Sequence, residues 1–398
     1  MTAALWAAIF RAPLASFCSL DMSLWIEGAT GSLKSTVVAV FLSHFGDFTR
    51  TTLPGAWSST ANQLERRAFI LKDTVFVIDD YAPTGLDARE METKAARIIR
   101  SQGNLAGRGR LRSDLSERPA YPPRGLIIST GEQHPPGQSL LARTLIMELE
   151  RAKVNTALLS EAQRAVHLFR HAMAGYISWL GPQADGLQAA LRSRVEEIRR
   201  QATEKDGHLR VPEAIANLEL GLHYGLEYAK YIGACSAAEA ETYHNQAWEA
   251  FMSLGRAQGR LVEGERPTRR FLTILHTLIT QDRAFMVPKG SSKGDDRHDT
   301  FLGWFDDQSL YIIPDAAFQA VVRFCREQEE PSPIRQERLR SDLAREKLIE
   351  SNEKHRHTVV FRVGKRLLRV LRFGRHACER LIDTEFPYPG PGLNQTQP

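Results

Sequence analysis

Residues 28–36, GATGSLKST, combine small residues, a lysine and hydroxyl residues in the order of a phosphate-binding loop. Such a loop needs a glycine, four residues and then Gly-Lys-Ser/Thr, because main-chain N–H groups and the lysine surround the phosphates while the hydroxyl binds Mg²⁺. Every element is present here except the second glycine, whose place is taken by Leu33. A leucine with ordinary backbone angles at this position need not abolish the phosphate-binding nest, because its donors are main-chain groups. A coincidental Gly-Ser turn is the alternative.

The residues of this loop have separate expected tasks. Gly28 turns the chain out of the preceding strand, and Gly31 lets main-chain N–H groups converge on a phosphate. Lys34 can reach the β- and γ-phosphates, Ser35 can coordinate Mg²⁺, and the helix that begins near Lys34 directs its positive end at the anion. The predicted cofactors are therefore ATP and Mg²⁺, and the predicted ligands are Gly28, Thr30, Gly31, Ser32, Lys34, Ser35 and Thr36.

A second chemical pattern follows in residues 74–81, TVFVIDDY, where an apolar run ends in two aspartates. This is the form of the strand that holds the metal in phosphate-loop enzymes. Asp79 would bind Mg²⁺ directly or through water, and Asp80 would polarise the attacking water. A helix cap or a turn is the alternative for such a pair, but its position behind a phosphate loop favours catalysis.

Hydroxyl residues end a third apolar run, RGLIISTG, at residues 124–131. The carboxyl ends of strands line the ligand crevice of an open parallel sheet, so Ser129 or Thr130 can sense the γ-phosphate or orient water. A simple turn is the alternative. Farther on, Arg143 lies in an apolar run and could stabilise transition-state charge in the site of a neighbouring subunit. A surface salt bridge is the competing role for Arg143.

The sequence pattern also predicts the elements that must position these groups. Residues 1–150 alternate short apolar strands with amphipathic helices, which predicts an α/β core with helices on both faces of a mainly parallel sheet. Residues 151–265 show helical spacing and predict a helical region. Residues 266–385 end in a helix and a basic hairpin about Gly364, the order of a winged helix. Residues 386–398 are rich in Pro, Gly and polar residues and predict a disordered tail.

Composition limits the class of protein. The chain has 398 residues, too many for one ordinary core, and is 42% hydrophobic and 25% charged, as in soluble globular proteins. We expect no transmembrane helix, because no uncharged apolar run is long enough. The net charge of +5 permits nucleic-acid binding without requiring it. The four cysteines have no metal or disulfide spacing and predict reduced thiols in the cytoplasm: Cys18, Cys235, Cys325 and Cys378.

Several segments together resemble a known family. EGATGSLKSTVVAVFLSHFG, WSSTANQLE, FVIDDYAP, RSQGNLAGRGRLRSD and PPRGLIISTGEQHPPGQSLLAR are similar to the ATPase portion of bacterial, phage and plasmid primase-helicase proteins, near the superfamily III helicases. The resemblance covers residues 1–150 strongly and the tail more loosely, through GWFDDQSLYIIP. It implies an ATP- and magnesium-dependent motor that moves along single-stranded or forked DNA as a homo-oligomer such as a hexameric ring, with a winged helix at the end and a primase as partner.

The resemblance also suggests roles for segments outside the phosphate site. Residues 57–65, WSSTANQLE, would lie beside the nucleotide with Glu65 as a further acid, although Thr60 or Asn62 could equally cap the following helix. Residues 103–114 form a glycine- and arginine-rich loop that could grip DNA in a central channel, serve the adjacent ATP site or remain a solvated surface.

Basic residues of the tail alternate with apolar ones. This pattern suits a wing that packs one face on its core and presents the other to a DNA duplex, whereas simple solubility of an exposed strand is the alternative. From the two basic segments, the predicted DNA-contacting residues are Arg108, Arg110, Arg112, Arg362, Lys365, Arg366 and Arg369.

Two hypotheses of different class follow from these patterns. The first is a DNA-handling ATPase, a superfamily III-like replicative helicase of a phage or mobile element. The second is a non-motor, nucleotide-gated DNA-binding or assembly protein with slow or no hydrolysis. Relatives in the resembling family carry a primase or other domain before the ATPase, whereas this chain begins shortly before its loop. A stand-alone ATPase, a fragment and a misassigned start remain alternatives.

Overall fold

The computed structural model describes residues 1–111, 114–118, 120–203, 209–291, 300–328, 335–350, 357–364 and 366–386. Internal contacts divide the chain into two units, Met1–Glu263 and Gly264–Pro398, named unit 1 and unit 2. Within the described ranges, none of the helices combines the length and the apolar character needed to cross a bilayer. Cys18 and Cys235 are half-buried, whereas Cys325 and Cys378 are buried.

The elements of unit 1 follow one another along the chain as α1 (Thr2–Arg11), β1 (Ser23–Glu27), α2 (Lys34–Leu42), β2 (Gly55–Ala56), α3 (Ala61–Ile70), β3 (Val75–Tyr81), α4 (Ala88–Asn104), β4 (Arg110–Leu111), β5 (Glu117–Arg118), β6 (Leu126–Gly131), α5 (Gln138–Leu141), β7 (Thr144–Glu148), α6 (Thr156–Leu180), α7 (Ala184–Ala202), α8 (Arg210–Tyr231) and α9 (Ala237–Gly264).

The core of unit 1 is a five-stranded sheet in the order β2-β3-β6-β1-β7. Every neighbouring pair is parallel. Strands β1, β3 and β6 are nearly continuous apolar runs because both faces of a parallel sheet are covered by helices. The α/β core predicted from the sequence is confirmed, and the carboxyl ends of its strands meet at one edge of the sheet.

Helix α2 follows β1 and is buried on several sides. The helix contains three β-branched residues with modest helix propensity, Val37, Val38 and Val40, and all three side chains are buried. Their burial against the sheet and the surrounding helices outweighs the intrinsic preference, as is usual for short helices. This packing fixes the position of the first turn of α2, where Lys34 and Ser35 lie.

Helices α6 to α9 form the helical region that the sequence predicts, and they enclose parts of the sheet. Gln258 of α9 covers the outer edge of β7: its Oε1 accepts a hydrogen bond from Ile146 N at 3.0 Å, and its Nε2 donates to Leu141 O at 2.8 Å. An uncovered edge strand would expose unpaired main-chain groups. Helix α1 packs against α8, where a Cβ at Gly221 would lie 2.0 Å from Ala7 O.

Unit 2 contains α10 (Pro267–Thr280), β8 (Ala284–Pro288), β9 (Thr300–Phe305), β10 (Ser309–Ile312), α11 (Pro314–Glu327), α12 (Gln336–Arg345), β11 (Ile349–Glu350), β12 (Val359–Val363), β13 (Arg366–Gly374) and α13 (Arg375–Ile382).

The second unit has a winged-helix-like α+β fold, as predicted. Its strands are ordered β11-β13-β10-β9-β8, and β12 pairs with β13 as an antiparallel hairpin about Gly364. Helices α11 and α12 precede this hairpin, which we call the wing. Phe386, assigned to a disordered tail by the sequence pattern, is instead buried in the apolar core of unit 2. The rest of that predicted tail, 387–398, lies outside the described residues.

Candidate functional site

The loop after β1 has the backbone of a phosphate-binding nest, and Leu33 takes part in it. Gly31 has φ 79° and Leu33 has φ 72°, both in the left-handed region. Leu33 therefore does not have the ordinary backbone angles of a leucine. Leu33 is the residue before the first turn of α2, and its left-handed conformation is the one that a glycine would adopt at no steric expense. Leucine in this conformation carries a steric strain that glycine would not have.

Gly28 is required by the close approach of two chain segments. A Cβ at this position would lie 2.4 Å from Leu149 O and 2.8 Å from Ser32 Oγ. The residue before it, Glu27, accepts a hydrogen bond from Leu149 N at 2.7 Å through its main-chain oxygen. The loop therefore begins in a place where only glycine fits.

Lys34 folds back over the loop that precedes it. Its Nζ donates to Gly28 O at 2.6 Å and to Ala29 O at 3.0 Å. The side chain thus lies across the mouth of the nest, next to the N–H groups at the start of α2. Ser32 is buried in this loop, and Thr36 lies half-buried in the first turn of the helix. A phosphate bound in the nest would meet the ammonium group and the helix N-terminus together.

Asp79 is the centre of a small cluster of oxygens beside this loop. Ser35 Oγ donates to Asp79 Oδ1 at 2.9 Å, and the Thr130 hydroxyl donates to the same oxygen. These three residues come from α2, β3 and β6, so the cluster exists only because β3 and β6 are adjacent and α2 packs above them. The structure brings together Ser35, Asp79 and Thr130 as the sequence predicts.

A β-bulge at the end of β3 separates the two aspartates. The pairing with β6 shifts between Ile78 and Tyr81, and Asp80 adopts a left-handed conformation with φ 66°. Asp80 N donates to Thr130 Oγ1 at 3.3 Å, so the threonine hydroxyl spans the irregularity. Asp80 is exposed beside this bulge whereas Asp79 is half-buried, and bulges are common next to active sites.

Ser129 and Thr130 have different environments because successive strand residues face opposite sides. The buried Ser129 hydroxyl donates to Ile78 O at 3.1 Å and accepts from Trp57 Nε1 at 2.7 Å. Both hydrogen bonds of the Ser129 hydroxyl are therefore made to groups of the protein interior. Of the two residues left open by the sequence, Thr130 is the one that contacts Asp79.

The oxygens around Asp79 fit the requirements of Mg²⁺. In the described part of the chain, no group of three or more His, Cys, Asp or Glu side chains is gathered as a metal cage. Mg²⁺ usually keeps several waters and binds one or two protein oxygens together with substrate phosphates. The Ser35 hydroxyl and the Asp79 carboxylate, 2.9 Å apart, supply such a pair.

Glu27, Glu132 and His134 are polar residues near the loop that the sequence patterns did not indicate. Thr30 donates to the Glu132 carboxylate, and His134 Nδ1 lies 2.6 Å from Glu27 Oε2. Glu132 and His134 follow β6, so their position after a strand that ends at the site was the available signal. Glu27 also lines a cavity of 690 Å³, whose other walls include His134, Glu148, Phe251 and Arg260.

Arg143 lies at the opposite edge of the sheet from this cluster. Its main-chain oxygen accepts from Ser23 N, at the start of β1, whereas the loop follows the end of β1. Five strand residues span about 16 Å. The guanidinium donates to Ser139 and to Asn104 Oδ1. Burial, and then the guanidiniums of Arg210 and Arg100, lower the pKa of Arg143 from its ordinary value.

Glu65 has a structural partner. Arg97 Nε and Nη2 each lie 2.6 Å from a Glu65 carboxylate oxygen, and Glu65 is buried. The side chain of Thr60 accepts from Gln63 N at 3.3 Å and caps α3. Thr60 therefore has the capping role that the sequence left open. The Glu65 carboxylate forms a bidentate ion pair with Arg97.

The predicted DNA-contacting residues lie in two places. In unit 1, Arg108 is exposed and Arg110 begins the short β4–β5 hairpin. In unit 2, Arg362, Arg366 and Arg369 are exposed on the wing. Arg112 and Lys365 lie outside the described residues.

Comparisons with known proteins identify a likeness of fold. No protein-family profile matches the chain, and no curated protein matches it in sequence. Among solved structures, the chain is similar to one described as "SCCmec type IV Cch - active helicase", with a TM-score of 0.61 and 15% sequence identity. The match covers 96% of this chain and 68% of that chain. The likeness is one of fold, and it extends over the α/β core, the helical region and the α+β unit.

Proposed function

We propose that this chain is an ATP- and Mg²⁺-dependent motor that acts on DNA, a superfamily III-like replicative helicase or ATPase of a phage or mobile element. One observation carries the proposal: the Ser35 hydroxyl, the Asp79 carboxylate and the Thr130 hydroxyl meet beside the loop that contains Lys34. A phosphate, a metal and a polarised water can be held together at such a place.

Each residue of the site then has a chemical task. The main-chain N–H groups from Gly31 to Ser35 surround the phosphates, and Lys34 moves from its carbonyl partners to the β- and γ-phosphate oxygens. The exposed Asp80 carboxylate orients and polarises the attacking water, while Thr130 fixes the relative position of the two aspartates. Phosphoryl transfer depends chiefly on such positioning and on charge stabilisation.

Ser35 and Asp79 would hold the Mg²⁺ ion through their side-chain oxygens. When bound, the ion supplies charge neutralisation between the phosphate oxygens. One wall of the cavity lined by His134 and Phe251 is Glu27, the residue that precedes Gly28 in the chain. We assign the nucleoside end of ATP to this cavity, which has the size and the mixed polar and apolar walls of a small-molecule site.

The proposed assembly is a homo-oligomer, with a hexameric ring as the expected form and a primase as the expected partner. Its support is the position of Arg143, which lies too far from the loop of its own subunit to reach a γ-phosphate there. In an oligomer, Arg143 of one subunit completes the site of the next and stabilises the transition-state charge.

ATP turnover with and without single-stranded DNA tests the enzymatic proposal. We expect wild-type turnover to rise with DNA and Lys34→Ala to reduce it by at least about 100-fold, the effect of removing one preorganised charge donor. Asp80→Asn should abolish turnover while ATP binding persists. Lys72→Ala removes an exposed lysine that contacts only the Phe69 ring among the described interactions, and it serves as the matched control.

The same measurements separate the motor from its alternative. A nucleotide-gated DNA-binding or assembly protein would bind ATP through Lys34 but would show equal, background-level turnover in the wild type and in Lys34→Ala. That result, with intact ATP binding, would overturn the proposal of hydrolysis.

A further inference from the structure

We propose that unit 2 contacts double-stranded DNA through the tip of its wing and not through α12, so that it grips the phosphate backbone without reading sequence. The inference rests on the proposed function for the identity of the partner, DNA. It goes further by naming the contacting element, the form of the DNA and the kind of contact.

Helix α12 is poorly suited to lie against DNA, although it occupies the place of the helix that normally enters the major groove in such folds. Each of its arginines is ion-paired within unit 2. Arg338 Nε lies 3.2 Å from Asp342 Oδ2, and Arg345 Nη2 lies 2.8 Å from Asp342 Oδ1. Arg340 Nη2 donates to Asp315 Oδ1 at 3.1 Å. A phosphate would have to compete with these carboxylates for every cation of the helix.

The wing tip differs from α12 because its arginines have no acidic residues beside them in the hairpin. The described wing residues, 359–364 and 366–374, include four arginines and no acid. Arg372, at the base, pairs with Glu350 at 2.8 Å. Arg362 and Arg366, on either side of the Gly364 turn, are exposed, and among the described residues neither has an ion pair. These two guanidiniums are therefore available to phosphates.

The register of the hairpin places these two arginines on opposite faces of the ribbon. Arg362 is paired with Leu367, and Arg366 is paired with Val363 in the neighbouring rung. Adjacent rungs of a sheet face opposite sides. A ribbon with a guanidinium on each face of its tip can contact phosphates on both walls of one groove, and the major groove, about 12 Å wide, admits a two-stranded ribbon.

The side chains around the arginines favour a duplex over a single strand. Proteins that bind unpaired strands stack the bases on accessible aromatic rings. On the wing, Phe361 is buried against Trp304 and Tyr311, which are also buried. The exposed apolar residues are Val360 and Leu367, 58% and 64% exposed, and these aliphatic groups can contact sugars but offer no stacking surface.

Binding of the full chain to a short fluorescent duplex of arbitrary sequence, measured over a series of salt concentrations, tests the inference. We expect the double variant Arg362→Gln, Arg366→Gln to bind roughly tenfold or more weakly, and the slope of log K against log salt to fall by about 1.8, as for two lost phosphate contacts. Leu367→Ser should weaken binding while the salt slope stays unchanged, because it removes no charge.

The matched control removes two charges from α12. In Arg338→Gln, Arg340→Gln, the buried Asp342 keeps Arg345. Asp315 is 76% exposed and keeps the hydrogen bond from Gln336, so we expect unit 2 to retain its fold. This control should bind the duplex within about twofold of the wild type with the same salt slope. The affinity of both double variants for a single strand of equal length completes the comparison.

The outcomes distinguish this inference from the proposed function. Duplex affinity that falls in the α12 variant but persists in the wing variant overturns the inference alone, as does a wing effect confined to single strands. A wild-type chain that binds no DNA at any salt concentration contradicts both. The ATP turnover of Lys34→Ala remains an independent measure of the nucleotide site.

Discussion

At the scale of single residues, the phosphate loop contains stored backbone strain. A left-handed conformation places the Cβ of a non-glycine residue close to a carbonyl oxygen, which costs roughly 1–2 kcal/mol. Leu33 and Asp80 both adopt it, at φ 72° and φ 66°. Eight described non-glycine residues have a positive φ, and these two lie next to Ser35 and Asp79, where nucleotide and metal are proposed to bind. Such strain persists only when the surrounding fold determines the conformation.

The strain at Leu33 can be tested by substitution. We expect Leu33→Gly to unfold in urea with a free energy equal to or above that of the wild type, because glycine adopts this conformation without steric conflict. The free energy of unfolding of Leu33→Val should be about 1 kcal/mol below that of the wild type, because a β-branched residue rarely adopts a left-handed conformation. Nucleotide affinity should persist in the glycine variant. Equal stability of the leucine and valine proteins would show that position 33 is unstrained.

At the scale of elements, a buried charge cluster joins three helices of unit 1. Glu219 of α8 is buried and binds Arg194 of α7, and His244 Nε2 of α9 lies 3.2 Å from Glu219 Oε1. Burial alone would raise the pKa of Glu219, but hydrogen bonds from His244 and Arg194 bring it below its ordinary value. The hydrogen bond to Glu219 raises the pKa of His244. The three helices are therefore tied together by a pH-dependent contact.

The sign of this dependence follows from the two shifts. Because the folded pKa of His244 is raised, its stabilisation is complete below the unfolded value, about 6.5, and is lost as the pH rises through the folded value. Because the pKa of Glu219 is lowered, its stabilisation is present above its unfolded value, about 4.3, and is lost as the pH falls through the folded value. We expect His244→Gln to lower the free energy of unfolding more at pH 6 than at pH 8, measured by urea denaturation.

His223 provides the control for this prediction. It faces Arg194, Glu219, Glu227 and His244, and burial lowers its pKa. Protonation of a buried neutral histidine disfavours folding as the pH falls. The free energy of unfolding of His223→Gln, relative to that of the wild type, should therefore be higher at pH 6 than at pH 8. Two variants with the same pH response would contradict these assignments.

At the scale of the whole molecule, the groups proposed for catalysis lie at two edges of one sheet. Lys34, Ser35, Asp79 and Thr130 are at the carboxyl edge, and Arg143 is at the amino edge. The buried Nε of Arg143 has no hydrogen-bond partner among the described residues, although its other nitrogens bind Ser139 and Asn104. On the proposed function, Arg143 acts in the site of a neighbouring subunit, so oligomerisation and catalysis are expected together.

Mixing of inactive variants tests the role of Arg143 between subunits. We expect Arg143→Ala to bind ATP but to lose turnover by a factor of about 1000 or more, as for an arginine supplied in trans. Mixed with Lys34→Ala, it should recover turnover, because some interfaces then pair an intact Lys34 with an intact Arg143. Arg143→Lys controls for packing against Gly103. A mixture without recovery, and a monomer by light scattering with ATP and DNA, would exclude this role.

Local patterns were sufficient to predict much of the site. The loop at 28–36 and the aspartates after an apolar run are read from consecutive residues, and parallel strands place their carboxyl ends at one edge. The association of Ser35, Asp79 and Thr130 follows from these rules. The backbone angle of Leu33 does not, because residue type alone favours ordinary angles there and the start of α2 imposes the left-handed one.

The sequence by itself determined the classes of element, their order and the chemistry available at the strand ends, because periodicity and turn residues are local properties of the chain. Only the tertiary structure decided which polar groups serve the fold. It pairs Glu65 with Arg97, directs Ser129 to Trp57 and neutralises the arginines of α12, while the wing arginines Arg362 and Arg366 stay exposed. These outcomes depend on distances between residues far apart in sequence, which no local pattern encodes.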